Sequence, residues 1–383
     1  MTKEIKSLTG LRGIAALWVV LLHFIYVVNF QTENLFLDAG NQFLKKGNLG
    51  VDMFFMLSAF VMCLAYQNVF NVRFSFKDIK DYLLKRFIRI YPAYIFWLLL
   101  AAFVYKKWSL KVIGVNLMLS QNFFDPNEFV INSVFWSLCA EWWMYMIFPF
   151  VFYFLKKANS KKNMSIVFVA FATLLGLYVL PNFNLYFIGN NGLVIKEYDN
   201  QFSIVYGINS MVRSLLCYLL GIALFFISIN GRIGLDKLFG GTKSIYILLT
   251  SIILLSFFRN TEIFIIVCLA LLIMSLYVNK DLENIFSKKI IYFLGLISYS
   301  LYLLHTTLRF IITVVVMKIF KIPVEAADLP SMLLALILVI PLAYLSYIYI
   351  ENKTGVWLKA KLLVKPSEKN SPEKELSNIQ GSI

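Results

Sequence analysis

The stretch LTGLRGIAALWVVLLHF, from Leu8 to Phe24, combines the apolar composition of a membrane helix with two ionisable side chains, Arg12 and His23. An ionisable group inside a membrane span costs roughly 2.5–3.5 kcal/mol and by default marks a functional or paired position. At 100° and 1.5 Å per residue, the two side chains share nearly one helix face and lie about 16 Å apart along the axis. The stretch therefore predicts a polar face that runs through the membrane.

The rest of the chain has the same membrane character. Of its 383 residues, 60% are hydrophobic and 17% are aromatic, and the mean hydropathy is +0.74. Apolar runs of helix-spanning length recur without the alternation typical of barrel strands. We predict an all-α integral membrane protein, a bundle of about ten transmembrane helices. The predicted spans are residues 8–29, 50–69, 91–105, 133–155, 164–180, 204–229, 244–258, 262–278, 290–317 and 331–350.

The distribution of basic residues predicts the orientation. The chain has 36 Lys and Arg residues against 21 Asp and Glu residues, a net charge of +15. With both termini in the cytoplasm, most of the basic residues fall in cytoplasmic segments, as the positive-inside rule requires. The net charge thus indicates topology and contact with anionic membrane lipids, not nucleic acid. Residues 1–364 are predicted to form the membrane domain, and the polar residues 365–383 a disordered cytoplasmic tail.

Several ionisable groups inside the predicted spans fall at one depth. Given this orientation, the outer half of the membrane contains four of them: His23, Asp52, Glu141 and His305. Two polar stripes point to the same region, namely Ser137, Glu141 and Tyr145 on the fourth span and Ser298, Tyr302, His305 and Arg309 on the ninth. These residues predict a polar cavity. The alternative for each is a structural role, as an interhelical hydrogen bond or ion pair that fixes packing.

His23 is the predicted catalytic base, because a neutral imidazole is suited to proton transfer near pH 7. Asp52 or Glu141 is expected to orient its ring, as a carboxylate does for a catalytic histidine. A covalent step on a serine has no support, since no G-x-S-x-G motif surrounds a serine. The four cysteines show neither metal-ligand spacing nor a disulfide framework, so no metal site is predicted.

A basic cluster, Lys85, Arg86 and Arg89, precedes the third predicted span. Guanidinium groups at this position suit the phosphates of an anionic cofactor. Basic residues beside a membrane span equally serve as topology signals and lipid anchors. The residue pattern leaves both interpretations open.

Five motifs together resemble the acyltransferase-3 family of bacterial integral-membrane O-acyltransferases. They occur in the family's order and approximate spacing, from about residue 8 to residue 351: GLRGIAALWVVLLHF, GVDMFFMLSAFVM, KRFIRIYPAY, FWSLCAEWWMY and LGLISYSLYLLHTTL. Family members commonly end the last span with Glu-x-Pro, whereas this chain has Glu351-Asn352-Lys353. No role is therefore assigned to Glu351.

The resemblance implies about ten helices and transfer of an acyl group, usually acetyl, from cytoplasmic acyl-CoA to a hydroxyl of a saccharide. The acceptor would be O-antigen, exopolysaccharide or another envelope glycan. It implies a bacterial plasma (inner) membrane protein that uses acetyl-CoA as donor substrate and binds no permanent cofactor. It also makes Arg12 and His23 the functional pair of the first span, and associates Arg86 and Arg89 with the cofactor.

A transporter or flippase for a saccharide or lipid-linked sugar is the alternative from another functional class. Intramembrane charges in such a protein relay protons or bind a substrate near the midplane. The sequence shows no paired halves and no Gly- or Pro-broken spans in matching positions, which favours the enzyme. A scaffolding protein is the third possibility, and the buried ionisable groups argue against it.

Overall fold

The computed structural model describes residues 4–25, 35–70, 75–105, 108–159, 164–179, 188–189, 192–193, 207–230, 239–279 and 284–363. Apart from a two-stranded antiparallel pair, β1 (Ile188–Gly189) and β2 (Gly192–Leu193), the regular secondary structure of these residues is helical. The predicted all-α class is thus confirmed. The predicted tail, residues 365–383, lies outside the described residues, and the domain boundary at residue 364 stays a prediction.

The helices follow the predicted apolar runs. The α-helices are α1 (Lys6–Ile25), α2 (Leu35–Lys45), α3 (Leu49–Tyr66), α4 (Phe76–Tyr105), α5 (Leu110–Leu117), α6 (Pro126–Phe129), α7 (Trp136–Asn159), α8 (Met164–Val179), α9 (Gly207–Asn230), α10 (Thr242–Ser256), α11 (Glu262–Val278), α12 (Lys289–Phe320), α13 (Val324–Ser346) and α14 (Lys353–Leu362). A π-helix, Tyr347–Asn352, joins α13 to α14. Four 3-10 turns lie at Lys46–Asn48, Gln121–Phe123, Ser133–Phe135 and Ile285–Ser287.

Seven segments of the described chain are long and apolar enough to cross a membrane: Lys6–Ile25, Leu37–Tyr66, Phe76–Tyr105, Ser133–Lys157, Gly207–Ile229, Lys289–Phe320 and Val324–Leu362. Three further predicted spans form shorter apolar helices, at Ile166–Val179, Thr242–Ser256 and Glu262–Val278. The total of ten spans and the cytoplasmic location of both termini remain predictions.

The third span is longer than predicted. Helix α4 has 30 residues and begins at Phe76, so the predicted segment 91–105 is only its second half. The helix continues through Pro92, which interrupts the apolar pattern without ending the helix. The basic cluster around Arg86 and Arg89 consequently lies on the helix itself rather than in a loop before it. Helical geometry then fixes which neighbours these side chains meet.

Helices α1 and α12 pack against each other at glycines. A Cβ atom on Gly13 would lie 2.5 Å from the backbone nitrogen of Gly295, and one on Gly295 would lie 2.0 Å from the carbonyl oxygen of Thr9. Side chains larger than hydrogen are therefore excluded from this contact. The two helices run parallel, because a second contact, between His23 and His305, lies ten residues further along each helix. This register brings both histidines together.

Helices α3 and α9 form a second close contact. A Cβ atom on Gly221 would lie 2.2 Å from the carbonyl oxygen of Met56, so glycine allows the two backbones to approach. The same interface contains a buried ion pair between Asp52 and Arg213. Both side chains are almost completely excluded from solvent, at 0% and 2% exposure. Removing one partner of such a pair leaves an uncompensated buried charge, which is strongly destabilising.

Candidate active site

A cavity of about 140 Å³ opens between helices α1, α3, α4, α7 and α12. Its polar wall comprises Arg12, Ser58, Arg86, Arg89, Ser137, Glu141, Tyr145, Ser298, Tyr299 and Tyr302. Its apolar wall comprises Val51, Phe54, Phe55, Leu57, Val61, Met62, Ile90 and Leu138. Most of the residues singled out by the sequence analysis therefore share one cavity, although they come from distant parts of the chain.

All three arginines predicted to bind a cofactor line this cavity. Arg12 projects from α1 and has no hydrogen bond or ion pair with any other residue that the structure describes. Arg86 donates a hydrogen bond to the hydroxyl of Tyr66, at 3.2 Å, and its buried Nε has no partner among the described residues. The guanidinium of Arg86 also lies over the ring of Tyr145, 5.7 Å from the centroid. Two of the three cations thus keep unused donors.

Arg89 differs from the other two because it forms an ion pair with Glu351. Glu351 lies in the π-helix and is buried, and its second carboxylate oxygen accepts a hydrogen bond from Ser300 at 3.1 Å. π-helices are rare and occur frequently at functional sites. The sequence alone assigns no role to Glu351, since the residues after it depart from the family pattern. The sequence does contain one signal for a role of Glu351, namely a carboxylate at the end of an apolar run.

The three residues of the predicted stripe on α7, Ser137, Glu141 and Tyr145, all line the cavity. Glu141 accepts a hydrogen bond from the Tyr145 hydroxyl at 2.6 Å, and that hydroxyl lies 3.1 Å from Oγ of Ser58. Glu141 also interacts electrostatically with Arg12. The structure therefore places Glu141 in the arginine cavity, and in the described residues it has no hydrogen bond to His23.

Asp52 also has a different partner from the predicted one. Its carboxylate accepts two hydrogen bonds from Arg213, from Nε at 2.8 Å and from a terminal nitrogen at 2.5 Å. The Cys217 thiol adds a contact of 3.4 Å to the same carboxylate. A bidentate pair of this kind saturates the carboxylate and fixes its direction. Asp52 is consequently directed towards α9, not towards the ring of His23.

His23 and His305 form a pair, as their predicted common depth suggested. Their ring centroids are 5.0 Å apart and the planes meet at 63°. Nδ1 of His23 lies 2.8 Å from the carbonyl oxygen of Val19, and Nδ1 of His305 lies 2.7 Å from that of Tyr302. Because a carbonyl oxygen only accepts, each Nδ1 carries the proton and each Nε2 is the basic nitrogen. Nε2 of His305 is buried and has no partner among the described residues.

The predicted polar face of the ninth span connects the cavity to this histidine pair. Ser298 and Tyr302 line the cavity, and the Tyr302 ring lies 5.7 Å from that of His305. Arg309 is further along the same helix, where it donates hydrogen bonds to Asp328, at 2.5 Å, and to the carbonyl of Phe24. Arg309 is thus a paired residue that holds α1 and α13 to α12 beside the histidines.

A segment between α4 and α7 packs over the same end of α12. Asn132 donates to the hydroxyls of Thr306 and Thr307, both at 3.0 Å, immediately after His305 in the chain. Asn122 donates to the carbonyl of Trp136 at 2.9 Å, at the start of α7. These buried amides fix irregular backbone against two of the helices that line the cavity.

The comparisons with known proteins agree with this architecture. Residues 5–349 match the acyltransferase-3 family, described as an acyltransferase domain. No curated protein and no solved structure gave a match. The family assignment and the apolar helices together indicate a multi-pass membrane protein with acyltransferase activity, and they give no support to a transporter or flippase. Since the match covers most of its 383 residues, the chain belongs to the acyltransferase-3 family.

Proposed function

We propose that this protein transfers an acyl group, in the first instance acetyl, from cytoplasmic acyl-CoA to a hydroxyl of a cell-envelope or exported saccharide. The observation that carries the proposal is the position of the arginine cavity beside the His23–His305 pair, with Tyr302 in contact with both. The cavity supplies binding for an anionic donor, and the imidazoles supply a base. O-antigen, exopolysaccharide and other envelope glycans of a bacterial inner membrane are the proposed acceptors.

The three arginines of the cavity bind the phosphates of the donor. Guanidinium groups match phosphate oxygens with two parallel hydrogen bonds, and such charge-assisted bonds are about twice as strong as neutral ones. Arg12, which forms no hydrogen bond or ion pair with the described residues, is the first of these contacts. Arg86 offers its unused Nε, and Arg89 is held in place by Glu351. Coenzyme A is the acyl carrier whose charge suits such a cavity.

His23 acts as the general base on the acceptor. Its Nε2 accepts the hydroxyl proton while the acceptor oxygen forms a bond to the thioester carbon. The carbon–sulfur bond then breaks, and the departing thiolate takes the proton from the imidazolium. The products are the saccharide ester and free coenzyme A. The carbonyl of Val19 holds Nδ1–H of His23 and fixes the ring, the task predicted for Asp52 or Glu141.

Purified protein in proteoliposomes, supplied with radiolabelled acetyl-CoA, tests the proposal. Free coenzyme A and labelled polysaccharide are measured with and without O-antigen or exopolysaccharide preparations. We expect both products to appear together, and only when the saccharide is present. Release of coenzyme A without labelled saccharide would indicate hydrolysis rather than transfer. Saccharide transport without coenzyme A release would contradict the proposal.

A further inference from the structure

The arginine cavity and the two histidines are adjacent but separate. Tyr302 and Phe54 line the cavity, whereas His23 and His305 are not among the described residues that do so. The Phe54 and Tyr302 rings meet nearly at right angles, with their centroids 6.2 Å apart. Tyr302 in turn contacts His305 on its other side. The Phe54 and Tyr302 rings thus form the part of the cavity wall that is nearest to the imidazoles along α12.

The two rings are held differently. The Tyr302 hydroxyl lies 2.7 Å from Oγ of Ser137 and 2.9 Å from the carbonyl oxygen of Val134, so both α7 and the turn before it fix its position. Phe54 has no polar atom and is only partly buried, because one side of its ring faces the cavity. Tyr302 is therefore the fixed part of this wall, and the size of residue 54 sets how much room the cavity has beside it.

The wall around Phe54 also matches the chemistry of an acyl chain. Val51 and Phe55 line the cavity near the start of α3, whereas Arg86 donates a hydrogen bond to Tyr66 at the end of that helix. The phosphates of a thioester donor would thus lie towards the Tyr66 end of α3, and its hydrocarbon end against Phe54. Burial of apolar surface favours this arrangement.

The geometry points to Phe54 as the residue that limits the length of the acyl chain that the cavity admits. This inference rests on the proposed function. In an apolar pocket, one methylene group is worth about 10–200-fold in selectivity. A phenyl ring that closes the pocket therefore suffices to separate acetyl from longer acyl groups.

Competition binding to the full-length protein in detergent tests this inference. Tritiated acetyl-CoA is displaced by unlabelled acetyl-, butanoyl- or hexanoyl-CoA, and by coenzyme A itself. We expect the wild-type protein to prefer acetyl-CoA over hexanoyl-CoA by about tenfold or more, and Phe54→Ala to reduce this ratio by about tenfold. Affinity for coenzyme A itself should change little in the variant, since the arginines are intact.

Phe60→Ala is the matched control. Phe60 is on the same helix but contacts the rings of Phe225 and Tyr277, away from the cavity, so its removal should leave the chain-length ratio unchanged. Phe54→Leu, which retains more volume, serves if Phe54→Ala does not fold, and we expect an intermediate ratio. Binding with an unchanged ratio in the Phe54 variants would overturn this inference alone. Failure of the wild-type protein to bind any acyl-CoA would overturn the proposed function together with it.

Discussion

The orientation of His23 depends on a single helix. Its Nδ1 is bonded to Val19, one turn earlier in α1, so the imidazole requires no carboxylate from another helix to fix its tautomer. Its chemical type and its depth single out His23 in the sequence, with Asp52 or Glu141 as the expected partner. Helical periodicity gives the face and depth of a residue within its own helix, but not the direction in which a neighbouring helix points. For that reason the Asp52–Arg213 pair was not predicted.

Replacing His23 tests its proposed role as the base. His23→Ala should insert and fold, because a small polar cavity admits water in place of the ring. Turnover should nevertheless fall by roughly 100-fold or more, the usual contribution of a positioned general base. Turnover is measured as coenzyme A release in proteoliposomes, and size-exclusion chromatography checks that the variant folds. A folded variant that retains more than about a tenth of the wild-type turnover would exclude His23 as the base and make His305 the candidate.

Replacing Arg12 tests the phosphate contact. Arg12→Ala should raise the KM for acetyl-CoA by roughly 10–100-fold, because a charge-assisted hydrogen bond is worth about 1.5–3 kcal/mol. The KM for the saccharide should stay the same. Arg259→Ala is the control, since Arg259 is exposed, pairs with Asp38 and is not among the residues that line the cavity. An equal rise in KM for both substrates would show that Arg12 supports the fold rather than the donor.

At the scale of elements, the apolar runs predicted the helices well and their contacts poorly. The ion pair between Arg89 and Glu351 joins residues 262 positions apart. Glu351 lies in a π-helix that no sequence pattern predicted. The start of α4 was also misplaced, since charged residues from Phe76 onward reduced the hydropathy although the segment is helical. By contrast, glycines in apolar helices indicate positions where two helices can pack closely. Gly13 and Gly295 are such a pair in the structure.

Widening the contact between α1 and α12 should impair catalysis without touching the site. Gly295→Ala places a methyl group against the carbonyl of Thr9, which costs about 1–3 kcal/mol and separates the helices. A displacement of about 1 Å at a reacting group lowers the rate by about 100-fold. Turnover and the thermal unfolding midpoint are both measured. Gly114→Ala, in open space within α5, is the control and should leave both unchanged or slightly raise the midpoint.

At the scale of the whole molecule, the predicted orientation implies that the proposed acyl donor and the proposed saccharide acceptor reach the protein from opposite sides of the membrane. The arginines of the cavity are placed towards the cytoplasm by the positive-inside rule, and His23 follows Arg12 towards the outer face. The cavity is lined by five helices that are widely separated in sequence, so spacing within single helices predicted the polar stripes of α7 and α12 but not the apolar residues of α3. Each of the five motifs contains at least one residue of the cavity wall, and among these residues the resemblance singled out Arg12, Arg86 and Arg89.

Proteoliposomes test this sidedness. Acetyl-CoA is enclosed in the vesicles or added outside, and a membrane-impermeant polysaccharide is placed on the opposite side or on the same side. We expect acylation only when the two substrates are on opposite sides, with the donor on the side predicted to be cytoplasmic. Equal activity with both substrates on one side would contradict a path through the membrane, while leaving the chemistry of His23 intact.

The uninterrupted helix α1 also has a consequence for the donor. Arg12 and His23 lie on this one helix, with no proline or bulge between them, so their separation of about 16 Å along the axis cannot change when other helices move. In the proposed reaction, the distance between the phosphates and the thioester of the bound donor must therefore match this fixed separation. An acyl thioester with the same charged end but a shortened linker should bind in the cavity, compete with acetyl-CoA, and still fail to react.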